Sequence, residues 1–193
     1  HDTVRRQRQM CIRDSHIAFD AKMIDFAGYL MPVQYEGVVA EHNSVKNHVG
    51  VFDVSHMGEF YVYGENSENF LQSLLSNDIS ILKNGQAQYN CIPNESGGIV
   101  DDLILYKLDT NRYMLVVNAS NIKKDWEFLN SKNNFGVQMM DVSDDYSLIS
   151  VQGPSSIDVL QPLFDFDLSS IKYYYFKYLD GLLCICVVIL LFE

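Results

Sequence analysis

Apolar positions along the chain follow two periods, and they change over at glycines, prolines and clusters of short polar residues. Val38, Val39, His42, Val45 and Val49 recur at helical spacing, with Gly50 as a C-cap candidate, so a short amphipathic helix is predicted over 36–49. A second helix starts at Asn66 or Ser67 and carries Phe70, Leu71, Leu74 and Leu75 at three- and four-residue intervals. A third begins near Ser120 with Ile122, Trp126 and Leu129 on one face, and Gly153-Pro154-Ser155 opens a last one through Ile157 and Leu160. Between them the alternation is that of strands. Residues 52–63 place Phe60 and Val62 opposite Tyr61 and Tyr63 and close at Gly64; 88–92, 99–108 and 112–118 are further strand candidates. Asp109-Thr110-Asn111 joins the last two as a hairpin, and 137–142 and 146–152 alternate around Asp144-Asp145 as a second hairpin. Residues 23–31 read as a short strand or irregular segment running into Pro32. Helices interspersed with hairpins define an α+β domain with a mainly antiparallel sheet and flanking helices. No internal repeat interrupts it.

Composition narrows the function. With 48% hydrophobic and 20% charged residues the chain has the balance of a globular protein, so disorder is not expected. A net charge of -11 without a basic patch over the body of the chain argues against a nucleic-acid partner and favours a small ligand or another protein. Cys11, Cys91, Cys184 and Cys186 form neither a C-x-x-C pair nor a disulfide framework, which fits a reducing compartment; the five histidines show no metal-binding spacing, so no metal is expected.

Both ends differ from the middle. Residues 1–15 hold Arg5, Arg6, Arg8 and Arg13 with no apolar h-region, which is not a secretory signal; they read as a leader outside the fold, tag-like or artefactual, with a transit peptide as the alternative. Residues 182–192 are an unbroken apolar run, too short for a membrane-spanning helix, and read as an altered end with a tendency to aggregate. No membrane partner is expected.

The candidate chemistry sits at Gly97-Gly98-Ile99-Val100-Asp101-Asp102-Leu103, where an apolar strand carries two adjacent acids. Neighbouring side chains on a strand point to opposite faces, so one acid can meet solvent while the other is pushed among Ile99, Leu103 and Leu105. An inward carboxylate is costly unless something pairs with it. Two acids after Gly-Gly can equally mark a turn and a solvated strand start.

Four ordered segments carry a resemblance: Asp25-Phe26-Ala27-Gly28-Tyr29-Leu30-Met31-Pro32, Val51-Phe52-Asp53-Val54-Ser55-His56-Met57-Gly58-Glu59, Asn94-Glu95-Ser96-Gly97-Gly98-Ile99-Val100-Asp101-Asp102-Leu103 and Val151-Gln152-Gly153-Pro154. Together they resemble the T-protein family of the glycine cleavage system, the tetrahydrofolate-dependent aminomethyltransferases. The likeness covers residues 16–176, while 177–193 depart from it. It implies the N-terminal part of a truncated folate-binding fold, because the family's later Gly-Tyr-Thr-Gly-Glu segment and folate-binding arginine have no counterpart here.

The resemblance also implies roles. Asp102 is the acid that the family sets beside the reactive folate nitrogen, and Asp101, on the other face by strand alternation, is structural. Met57, Tyr89, Asn118, Tyr173 and Tyr174 match positions lining the folate pocket; rings suit a flat pterin and an amide its polar edge. Read without the family, Tyr89 is a cross-strand aromatic, Asn118 a strand-end turn residue, and Tyr173 and Tyr174 core aromatics. His56 is expected as a buried, hydrogen-bonded scaffold histidine. The implied reaction takes the one-carbon unit from the aminomethyl-dihydrolipoyl arm of H-protein to tetrahydrofolate, releasing ammonia and giving 5,10-methylenetetrahydrofolate. A bacterial cytoplasm is the default location and a mitochondrial matrix the alternative. The competing function is a non-catalytic folate-binding module related to iron-sulfur cluster repair proteins; in either case this chain alone is expected to be inactive.

Overall fold

A computed structural model describes residues 13–26 and 28–178. The expectations for most of the leader and for the apolar run at 182–192 lie outside the described residues. The described residues divide into two compact units, one formed by residues up to 56 with 147–170, the other by 57–146 with 171–178.

In the first unit, β1 (Lys22–Phe26) and β2 (Tyr29–Gln34) form an antiparallel hairpin through Gly28, whose φ of 82° suits the tight reversal. The stretch 23–31, expected as one short strand or irregular segment, is therefore two strands paired with each other, and the second runs through Pro32, which an edge strand tolerates. Helix α1 (Val38–Asn47) forms where its spacing predicts, but none of its residues is buried, and it ends at His48 rather than at Gly50. Gly50 instead opens β3 (Gly50–Asp53), at a point where a Cβ would come within 2.5 Å of the Val45 side chain. The partner of β3 is β9 (Ile149–Gln152), and helix α4 (Ser156–Leu160) follows.

The second unit is built on a five-stranded antiparallel sheet. Its strands are β4 (Gly58–Tyr63), β5 (Gln86–Pro93), β6 (Ile99–Asp109), β7 (Arg112–Val117) and β8 (Gln138–Asp141), in the order β5-β6-β7-β4-β8. Helices α2 (Ser67–Leu74) and α3 (Ile122–Lys132) supply the other layer. One face of the sheet presents Phe60, Val62, Ile92, Leu103, Leu105, Leu115 and Val117, which join Phe70 and Leu71 of α2 and Leu129 of α3 in a buried core. Trp126 meets the Phe60 ring edge-on at 5.0 Å. The α+β class and the antiparallel sheet are as the periodicity predicts.

Two further expectations fail over pairing rather than over element type. Residues 52–63 are two strands, not one. Ser55 breaks them apart: its N–H donates to Asp53 Oδ1 at 3.0 Å and its hydroxyl bonds the Leu148 backbone, so β3 and β4 enter different sheets. Likewise β8 and β9 do not form a hairpin around Asp144-Asp145. β8 pairs with β4 and β9 with β3, so each takes a partner far away in sequence instead of its neighbour.

Candidate active site

Strand β6 enters the sheet through a loop that Asn94 ties. Its Oδ1 accepts the N–H groups of Ser96 and Gly98 at 3.0 and 2.9 Å, while Gly97 takes a φ of 82°. Beyond that turn the alternation of β6 is fixed by its pairing with β5, Asp101 facing Ile92 and Asp102 facing Cys91. Asp101 thus shares the helix-packed face with Leu103 and Leu105 and is 8% exposed, and Asp102 points to the opposite, more open face. The costly inward acid is Asp101.

Asn118 joins the two faces. It follows β7 directly, next to the Leu103–Val117 pair, and its Nδ2 donates to Asp101 Oδ1 at 3.0 Å, Asp102 Oδ1 at 3.0 Å and the Asp102 carbonyl at 3.2 Å. The other oxygen of Asp102 accepts the Tyr89 hydroxyl at 2.8 Å, with Tyr89 two residues before Cys91 on β5 and on the same face. That bond to a carboxylate pushes the Tyr89 phenol up to about 12, because ionising it would set two anions together. Asp102 is thereby held from both sides and still reaches the open face.

Along that face runs an open cavity of about 350 Å³ lined by residues including Leu82, Ala87, Tyr89 and Tyr174. Tyr174 is held there by its backbone, its carbonyl accepting the Ala87 N–H at 2.8 Å, and it sits at a φ of 58° with its ring edge-on to Tyr173 at 4.6 Å. Tyr173 is 62% exposed and so is not a core aromatic. Met57 is partly buried one residue before β4; extending the Gly58–Val117 register by one places it across from Asn118.

His56 belongs to the other unit. It lies between Phe26 and Tyr29, whose rings stand 6.1 and 6.3 Å away. Burial pulls its imidazole below the usual range against the opposing pull of Asp53. Its Nδ1 has no hydrogen-bond partner among the described residues, so the expected hydrogen-bonded scaffold histidine is instead a neutral ring packed among aromatics.

One site residue escaped the sequence reading. Asp125 of α3 is fully buried beneath the sheet, with its carboxyl in hydrogen-bonding contact with Asp101. The signal was present: 125 falls at helical spacing among Ile122, Trp126 and Leu129, so an acid there had to be on the packed face. Burial, then the Asp101 contact, push its carboxyl up to about 8. On Asp101 burial acts upward too, but the hydrogen bonds from Asp125 and Asn118 prevail and hold it below the usual carboxylate range. Among the described residues no group of three His, Cys, Asp or Glu side chains could hold a metal ion, and no helix is long and apolar enough to cross a membrane.

The two-layer α+β unit presents a hydrogen-bonded acid pair beside an aromatic-lined cavity, the form of a site for a small polar molecule. Comparison with known proteins makes this specific: the profile of the GCVT N-terminal domain matches residues 12–191, and the chain belongs to that family. It is 54% identical over 170 residues to the aminomethyltransferase of Flavobacterium psychrophilum, covering 88% of this chain and 47% of that protein. With the aminomethyltransferase of Bacteroides fragilis it shares 52% identity over 164 residues, 85% of this chain and 45% of the relative. Among solved structures, the glycine cleavage system aminomethyltransferase T from Bartonella henselae superposes with a TM-score of 0.79 at 35% identity, over 85% of this chain and 45% of that one. The chain spans about half the length of the curated relatives it matches.

Proposed function

We propose that this chain forms the acid-bearing half of the folate site of an aminomethyltransferase of the glycine cleavage system. In that reading the methylene carbon of an aminomethyl group held on the dihydrolipoyl sulfur of H-protein passes to the two nitrogens of tetrahydrofolate. Its C–N and C–S bonds break, releasing ammonia and the free dihydrolipoyl thiol and leaving 5,10-methylenetetrahydrofolate. The observation that carries it is the fixed carboxylate of Asp102, gripped by Tyr89 and Asn118 at the edge of the cavity. A carboxylate held this way accepts a hydrogen bond from the folate nitrogen, aligns it with the incoming carbon and stabilises positive charge developing there. Tyr89 and Tyr174 offer faces for the flat pterin, and Asn118 and Met57 complete the wall at the strand end. Asp101 supports from behind. The remaining pocket residues, and with them turnover, belong to the portion of the relatives that this chain does not span, so the chain alone is inactive in this reading. The location proposed is the bacterial cytoplasm.

The experiment is one-carbon transfer from aminomethylated H-protein to tetrahydrofolate by the full-length protein and its Asp102→Asn form. Loss of at least 100-fold in kcat, roughly the effect of removing one preorganised electrostatic contact, is the expected result. Unchanged transfer in the variant would dismiss the role of Asp102. A protein that binds folate but turns over with no H-protein substrate would move the reading to the non-catalytic module.

A further inference from the structure

Beneath the acid pair, two carboxyl groups from different elements face each other with no water-exposed escape. Asp125 projects from the first turn of α3 and has no exposed surface; Asp101 comes from β6 and is 8% exposed. Asp101 Oδ2 and both oxygens of Asp125 find no ordinary donor among the described residues, yet the two carboxyls lie within hydrogen-bonding contact. Two buried carboxylates in contact do not both ionise, and a single proton between them satisfies both sides. The surroundings decide which of them keeps it. Asp101 receives the Asn118 amide at 3.0 Å, a donor that favours its charged form. Among the described residues Asp125 has as cation only Lys124, 4.0 Å away on its own helix and already donating to the Val100 carbonyl at 2.6 Å. Asp102 adds a further negative charge from β6.

We propose that Asp125 is a positioning residue for the folate-binding acid: as a neutral carboxylic acid it donates to Asp101, and the charged Asp101 so held orients the Asn118 amide and, through it, the carboxylate of Asp102. The chain of contacts is continuous, from α3 through the sheet to its open face. Asn118 has a single amide NH2 for acceptors on both faces, so turning Asp101 or removing its charge releases the amide and loosens Asp102. Asp125 touches no reacting atom in this scheme. The inference rests on the folate reading of Asp102, whereas the proton itself does not.

The test compares the chain with its Asp125→Asn and Asp125→Ala forms. Asparagine keeps a donor toward Asp101; alanine leaves that carboxylate buried without one. Tetrahydrofolate titrations on either side of pH 8 are expected to show affinity falling on the alkaline side in the unaltered chain, where Asp125 loses its proton. The same titrations should give a flat profile in the Asn form and binding weakened about 10-fold at every pH in the Ala form. Infrared difference spectra near neutral pH should show a protonated-carboxyl carbonyl band that both variants lack. The Asn118 side-chain amide resonances should shift with the same alkaline titration in the unaltered chain only. A missing band, a flat profile in the unaltered chain, or an Asn form as impaired as the Ala form would overturn the proposal. If Asp125→Ala does not fold, the Asn form and the band decide. If the unaltered chain binds no tetrahydrofolate by itself, the same titrations on the full-length protein test the folate reading, and the band with the Asn118 resonances decides on this chain whether Asp125 positions the pair.

Discussion

At the residue scale the site is a question of what each oxygen can bond. Tyr89 gives Asp102 one of its two fixed contacts and has no second duty in the sheet core, being 45% exposed. Tyr89→Phe is therefore expected to leave stability within about 0.5 kcal/mol while weakening tetrahydrofolate binding roughly 10-fold or more, the ordinary effect of one hydrogen bond to a charged group. Paired urea and ligand titrations check both halves. A spectrophotometric titration offers a second reading: the bond to Asp102 pushes the Tyr89 phenol up to about 12, and in Asp102→Asn its midpoint should drop back toward about 10. Asp125 makes a stability prediction of opposite sense to that of most carboxylates. Its folded pKa lies above the unfolded value, so its contribution is fully present at acid pH and is lost as pH rises from the unfolded pKa near 3.8 to about 8. Asp125→Asn removes that slope, so between about pH 4 and 8 the urea midpoint of the unaltered chain should fall relative to that of the Asn form as pH rises. The alternation of β6 already made one acid inward and one outward in the sequence. What no sequence spacing could supply was Asp125 as the partner of Asp101, because the two are brought together only by the packing of α3 on the sheet.

At the element scale, type was legible and pairing was not. Each of the helices at 38–47, 67–74 and 122–132 forms within a few residues of its predicted bounds, because an apolar stripe and its flanking turn residues are local properties. The strand at 99–109 and its hairpin to 112–117 were equally local, with Asn111 taking the positive φ of 56° that the turn needs. Partner choice for β8 and β9 depended on surfaces more than seventy residues away, which periodicity does not encode. The Val-Gln-Gly-Pro motif shows where an element junction leaves no freedom. Gly153 sits at a φ of 120°, and a Cβ there would come within 2.5 Å of the His48 carbonyl and 2.6 Å of the Val45 carbonyl, both backbone atoms that cannot step aside. Gly153→Ala is expected to destabilise by about 2–4 kcal/mol from combined strain and overlap, measured by urea unfolding. A loss under about 1 kcal/mol would mean that the β9–α4 junction is looser than its geometry.

At the scale of the whole molecule the two units differ in how much they bury. Among the described residues every buried apolar side chain except Leu168 belongs to the second unit, while Phe19, Val39, Val51 and Leu163 of the first are more than half exposed. Native-state hydrogen exchange should therefore find the slowest amides on β4, β6 and β7 around Val62, Leu105 and Leu115, and far weaker protection on β1, β2 and α1. Equal protection in both units would contradict that division. The sequence by itself determined the α+β class, the identity of the elements and the acid pair, since periods of 2 and 3.6 and the residues of tight turns act within a few positions. It also carried the four motifs that mark the family. Tertiary structure alone decided that residues 52–63 split between two sheets, that Asn118 spans both faces of β6, and that a buried acid on α3 meets Asp101, because each depends on which distant surface a side chain is pressed against when water is excluded.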